Sequence, residues 1–218
     1  IYKVAKTDLK TEKNNNQFFV LNLKNQETSS IDLGKKSLIQ WDKNGLYAQE
    51  GNQIFLSKDA GKNWVEFYTI GEVDNIVISP DGKKIAFSKQ VQVEKLLGKD
   101  KYNDVPKTTA QVYTELNHRH WDYFNEGKYN HVFVVNSSEN IENAKDLLDG
   151  KKFDCPQRPS GGSEDFVWST DSSKLIYVTK ALSGKEYTLS TNTNLFAFDL
   201  VSGTTKNLTE GMFGYDQN

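Results

Sequence analysis

Two stretches of this chain repeat one another: SPDGKKIAFSK at 79–89 and STDSSKLIYVTK at 169–180. Each opens on a serine, sets an aspartate two residues later in a tight turn, and runs into a strand of β-branched and aromatic residues. The copies start 90 residues apart (169 minus 79), which fits two units of a four-stranded blade at roughly 40–45 residues each. A third signal, SxDxGxxW at Ser57, Asp59, Gly61 and Trp64, lies ahead of both. A chain with this internal period buries its strand faces by stacking one unit on the next. The expected class is therefore all-β, a partial β-propeller of about three to four blades of four-stranded antiparallel sheets.

Short apolar runs bounded by Gly, Asn, Asp and Ser support that class, among them FFVLNL (18–23), QIFLS (53–57), HVFVVN (131–136) and NLFAFDL (194–200). Each has the length and composition of a strand. Only IENAKDLLDG (141–150) has a helical pattern, and it predicts at most a short helix. Asp81-Gly82 and Ser172-Ser173 are expected to join the first two strands of a blade through hairpins that tolerate positive φ. The units are expected at 1–35 (incomplete), 37–70, 74–150 and 163–209, with 212–218 leading into another blade. The third is too long for one blade, so its surplus, about 94–128, is expected to be an insertion. An open row of blades leaves apolar strand faces at its ends, so self-association or partial disorder of such a segment is expected.

Charge and composition narrow the partners. Twenty-seven Lys and Arg stand against 29 Asp and Glu. That balance supplies no basic field for nucleic acid and no excess for an anionic membrane surface. No run of about 18 apolar residues predicts a membrane span. Cys155 is the single cysteine, which excludes an intramolecular disulfide and reads as a small buried residue rather than a nucleophile.

The three repeat motifs are structural in this reading. Asp59 accepts turn N–H groups, Gly61 supplies an unusual backbone angle and Trp64 packs beneath them, the pattern of an Asp-box. Asp81 and Asp171 cap their turns in the same way, with Gly82 supplying the positive φ in the first copy. The insertion carries denser chemistry in VYTELNHRHWDYFNEGKYNHVFV (112–134). If extended, it places His118, His120 and Asp122 on one face, and Arg119, Trp121 and Tyr123 on the other. Two histidines and a carboxylate in that pattern resemble a zinc ligand set, although the same residues equally anchor loops by hydrogen bonds; no second cluster supports a metal, and no cofactor or metal is expected.

SPDGKKIAFS and STDSSKLIYV resemble the repeats of TolB-like and prolyl-oligopeptidase-type propellers, and the Asp-box resembles those of sialidases. RHWDYF at 119–124, followed by HVFVV, narrows the resemblance to dipeptidyl-peptidase-V-like and acylaminoacyl-peptidase-like members of the prolyl oligopeptidase family of serine peptidases. That resemblance covers the chain in blade order. It implies a propeller that gates and orients peptide substrates for a separate C-terminal α/β-hydrolase domain, in a periplasmic or secreted bacterial parent. No catalytic residue is expected here: a nucleophile elbow needs GxSxG, and PSGGSED (159–165) does not supply it. The family's dipeptide-releasing members hold the substrate amine with acidic side chains of the propeller side, which nominates Glu115, Asp122 and Glu126, with Arg119 and Trp121 beside them. The alternative is a TolB-like propeller that binds proteins without enzymatic activity.

Overall fold

The computed structural model describes residues 1–116, 119–120 and 122–216, with the backbone alone at His120. The chain forms two compact units, Ile1–Glu72 and Val73–Asn218.

The first unit holds two antiparallel meanders. Strands β1 (Tyr2–Asp8), β2 (Lys13–Leu21) and β3 (Thr28–Ile31) make a three-stranded sheet in sequence order. Strands β4 (Ser37–Asp42), β5 (Gly45–Glu50), β6 (Gln53–Ser57) and β7 (Val65–Thr69) make a four-stranded one. Ile31, Leu33 and Leu46 form its core, with Phe18, Val20, Leu38 and Trp64 packed against them. The SxDxGxxW hairpin between β6 and β7 closes on hydrogen bonds set by its own residues. Asp59 accepts the Asn63 N–H at 2.8 Å and the Ser57 hydroxyl at 2.7 Å, and Ser57 Oγ accepts the Gly61 N–H at 2.8 Å. Gly61 sits at φ +91°, and a Cβ there would clash with the Ile31 side chain, so glycine is required for two independent reasons.

The second unit holds two four-stranded sheets. One is ordered β13-β12-β9-β8, from β8 (Asp74–Ile78), β9 (Lys84–Gln92), β12 (Lys128–Asn136) and β13 (Lys145–Asp146). Between β9 and β12 the chain makes a long excursion containing a short helix α1 (Gly98–Lys101) and the two-residue strands β10 (Arg119–His120) and β11 (Tyr123–Phe124). The other sheet is ordered β14-β15-β16-β17, from β14 (Phe166–Trp168), β15 (Lys174–Thr179), β16 (Asn194–Asp199) and β17 (Thr205–Asn207), with a short helix α2 (Gly184–Leu189) between β15 and β16. One core serves both sheets. Ala86, Val132 and Val134 meet Phe166, Leu175, Tyr177 and Phe198, with Leu147, Leu148 and Cys155 filling between them. The alternation of strand side chains puts these residues on the inner faces.

The repeated sequence produces a repeated turn. Ser79 Oγ donates to Asp81 at 2.6 Å, Asp81 accepts the Lys83 N–H at 3.0 Å, and Lys84 N–H returns to Ser79 Oγ at 2.9 Å. Ser169, Asp171, Ser173 and Lys174 make the same three bonds at 2.6, 3.0 and 2.9 Å. Gly82 at φ +70° and Ser172 at φ +60° hold the same left-handed position. The two turns also touch, because Asp81 N–H donates to Ser172 Oγ at 3.1 Å and Lys84 Nζ to Ser172 O at 3.2 Å. The adjoining strands are tied by Trp168 Nε1, which donates to Val77 O at 3.1 Å.

The helix expected within 141–150 is reduced to one 3₁₀ turn, Ile141–Asn143, followed by β13. Tertiary pairing overrides the helical pattern: Leu147 N–H bonds Val132 O at 2.9 Å, and Leu147 and Leu148 enter the core. Asp146 faces the fully buried His131, whose Nδ1 lies 2.8 Å from its carboxylate and whose Nε2 lies 3.0 Å from Lys151 O. Among the described residues, no helix is long and apolar enough to cross a membrane.

Candidate functional site

The excursion grows from the far end of the β9–β12 ladder, which pairs nine residues on each side from Lys84↔Asn136 to Gln92↔Lys128. Its neck is closed by backbone bonds from Val93 and Glu94 N–H to Gly127 O, at 2.9 and 3.1 Å. Gln92 Nε2 adds bonds to Glu94 O at 2.6 Å and Glu126 O at 2.8 Å. Gly127 at φ +75° lies so close to the Glu94 carbonyl that a Cβ has no room. Past the neck, Leu96 and Ala110 carbonyls accept the Val112 and Gly98 N–H groups at 2.8 and 2.7 Å, so the excursion folds on itself.

An acid-lined hollow of about 40 Å³ opens at its base. Glu94 takes Lys152 Nζ at 2.6 Å and the Tyr129 hydroxyl at 3.0 Å. Glu115 reaches the same hollow, its carboxylate lying against Gly184 at the start of α2. The hydrogen bond that Lys152 donates to Glu94, helped by the charges of Glu94 and Glu115, raises the Lys152 pKa against the opposing effect of burial. Two carboxylates and one ammonium leave one negative charge in the lining, so the hollow favours a cation.

A base-lined hollow, also about 40 Å³, shares Asn125 and Tyr129 with the first. Arg119, Lys128 and Arg158 line it, together with Asp154. Arg158 Nε lies 3.1 Å from Asp154 Oδ1, and Arg158 Nη2 donates to Lys128 O at 3.0 Å. Asp154 also accepts the Asn130 N–H at 2.7 Å. Burial dominates its titration and raises its pKa, while Arg158 and the Asn130 N–H pull the other way.

The residues nominated from the sequence are thus divided. Glu115 enters the acid-lined hollow and Arg119 the base-lined one. Glu126 pairs with Lys128 at 2.9 Å and lines a third, larger depression of about 360 Å³ with Gln92 and Lys95. Asp122 is exposed in the turn between β10 and β11 and lines none of the three. Trp121 and His118 lie outside the described residues. Among the described residues, Arg119 pairs opposite Phe124 and His120 opposite Tyr123 in a short antiparallel ladder, so the chain reverses between β10 and β11 instead of continuing as one extended run. Among the described residues, no group of three His, Cys, Asp or Glu is placed to hold a metal ion.

Sequence reasoning missed Glu94, Lys152 and Asp154. Glu94 and Lys152 are 58 positions apart, so no local spacing marks them. Asp59, Asp81 and Asp171 stand in their turns, outside these hollows. The Asn63 N–H and the hydroxyl of Ser57 bring the Asp59 pKa down to about 2, and the Ser169 hydroxyl and Ser173 N–H hold Asp171 well below the ordinary carboxylate range.

No protein-family model matches the chain. It is 32% identical over 99% of its length to dipeptidyl-peptidase 5 of Porphyromonas gingivalis, and 29% identical over 99% to that of Porphyromonas endodontalis. It spans about a third of the length of these relatives, 33% and 32%. Among solved structures, the acylaminoacyl peptidase of Pyrococcus horikoshii superposes with a TM-score of 0.56, over 96% of this chain and 30% of that one, at 12% identity. That likeness concerns the fold, and it agrees with the succession of antiparallel four-stranded sheets. The chain folds as part of a β-propeller and is similar from end to end to dipeptidyl-peptidase 5.

Proposed function

We propose that this segment gates and orients peptide substrates for the catalytic domain of a dipeptidyl peptidase, and that the acid-lined hollow receives the substrate's free amine. The observation that carries this reading is the end-to-end similarity to dipeptidyl-peptidase 5. The acid-lined hollow supports it chemically: Glu94 is already engaged by Lys152 and Tyr129, which leaves Glu115 as the better candidate for a charge-assisted bond to an ammonium group. Such a bond also measures a fixed distance from the amine to the bond being cut. On this reading the acyl-transfer chemistry belongs to the remainder of the parent protein, and the segment by itself does not hydrolyse peptides.

The test is Glu115→Gln in the full-length protein, assayed with dipeptide substrates bearing a free or an acetylated amino terminus. We expect KM for the free-amine substrate to rise roughly tenfold, the scale of one hydrogen bond to a charged group. The acetylated substrate should be unaffected. An unchanged KM for the free-amine substrate would refute the assignment of Glu115, and turnover by the isolated segment would refute its noncatalytic role.

A further inference from the structure

The two neighbouring hollows carry opposite charge, and the second is not explained by binding an amine. We propose that the base-lined hollow is a binding site for a single carboxylate group. Arg119, Lys128 and Arg158 line it together with Asp154, which pairs with Arg158 at 3.1 Å. Among the described residues of the lining, three basic side chains stand beside one carboxylate. The chain as a whole is slightly acidic, at a net charge of −2. The excess of basic side chains in the lining is therefore local, which suits one small anion and argues against a polyanion.

The geometry is prepared for such a ligand. Arg158 is clamped by Asp154 and the Lys128 carbonyl, so the conformational cost of ordering its guanidinium is already met by folding. Asp154 is in turn fixed by the Asn130 N–H. Arg119 joins the lining from the β10–β11 hairpin, with its guanidinium carbon 5.9 Å from the centre of the Phe124 ring. Tyr123, Tyr129 and Tyr187 supply aromatic walls, and Tyr187 is steadied by Lys180, whose Nζ lies 3.9 Å from its ring centre. The volume of about 40 Å³ compares with roughly 10–15 Å³ needed for one water. It accommodates a carboxylate group. A planar guanidinium matches a carboxylate's two oxygens, which gives such a ligand an advantage over a spherical anion.

The carboxylate has two possible sources, an acidic side chain of a bound peptide or a free organic acid. The full-length protein is titrated calorimetrically at low salt with acetate, acetyl-Ala-Asp-Ala-amide and acetyl-Ala-Asn-Ala-amide. Both peptides are blocked at the amino end, so failure of the amine reading at Glu115 leaves this result untouched. We expect the Asp peptide to bind about tenfold tighter than its Asn counterpart, and Arg119→Gln to abolish the preference. Lys128→Gln, at an exposed position, provides a second variant expected to weaken it. Acetate binding that depends on Arg119, without any difference between the peptides, assigns the site to a free acid. Equal peptide affinities with no acetate binding overturn the proposal, as does a preference retained in both variants.

Discussion

Ser172 occupies a backbone position that its repeat partner fills with glycine, and this makes it a quantitative probe of how the two blades of the second unit are joined. It lies at φ +60°, is 1% exposed, and accepts the Asp81 N–H at 3.1 Å. Two effects oppose one another. A side chain in the left-handed region costs about 1–2 kcal/mol, whereas the hydrogen bond contributes about 0.5–1.5 kcal/mol. Ser172→Ala removes the bond and keeps the strain, so it should destabilise by about 1 kcal/mol. Ser172→Gly removes the same bond but releases the strain, less the greater entropy of glycine in the unfolded chain, and should be close to neutral. The expected gap of about 1 kcal/mol corresponds to about 2–4 °C in melting temperature for a chain of this size. Thermal unfolding followed by circular dichroism, with both variants measured beside the parent, resolves it. A glycine variant that melts below the alanine variant would refute the argument, since it would show that strain at φ +60° is smaller than the entropy glycine adds to the unfolded chain.

Acid should unfold the chain partly through its turn aspartates. Asp59 and Asp199 have folded pKa values lowered to about 2 from 3.8, chiefly by the Asn63 and Ser202 N–H groups, so their contribution is present above pH 3.8 and is lost as the pH falls through about 2. Urea unfolding from pH 5 downward should show that loss diminished in Asp59→Asn and Asp199→Asn; an identical acid limb in variant and parent would contradict it. Cys155 is fully buried, and burial raises its thiol pKa well above the ordinary value. It should resist iodoacetamide in the native protein and react promptly in denaturant, whereas equal native and denatured rates would place the thiol at the surface.

Much of the strand pattern was legible because its determinants are local. Lys84–Gln92, Gln53–Ser57 and Asn194–Asp199 form strands where apolar runs lie between turn residues. The aspartate turns followed from the spacing of Ser, Asp and the residue at positive φ, since each bond spans five residues or fewer. The misread segments are those decided by distant partners. Residues 145–148 satisfy a helical pattern, but the Val132 carbonyl and the core claim them for a sheet edge. Glu115 and Arg119 were visible as charged residues in an unusual segment. Their separation into hollows of opposite sign was not, because Glu94, Lys152, Asp154 and Arg158 come from other parts of the sequence and only the fold brings them together.

The neck at Val93, Glu94 and Gly127 separates two kinds of constraint on this sequence. Below it, β9 and β12 are committed to a shared core, where one altered methyl group is felt. Above it, the entropy of closing the loop grows only with the logarithm of its length, at about 0.6 kcal/mol per doubling. Residues 95–126 are therefore free to lengthen, shorten or change charge at little cost to the blade that carries them. Natural variation in ligand preference should accumulate in this excursion, while the glycine at its neck and the ladder beneath it stay fixed.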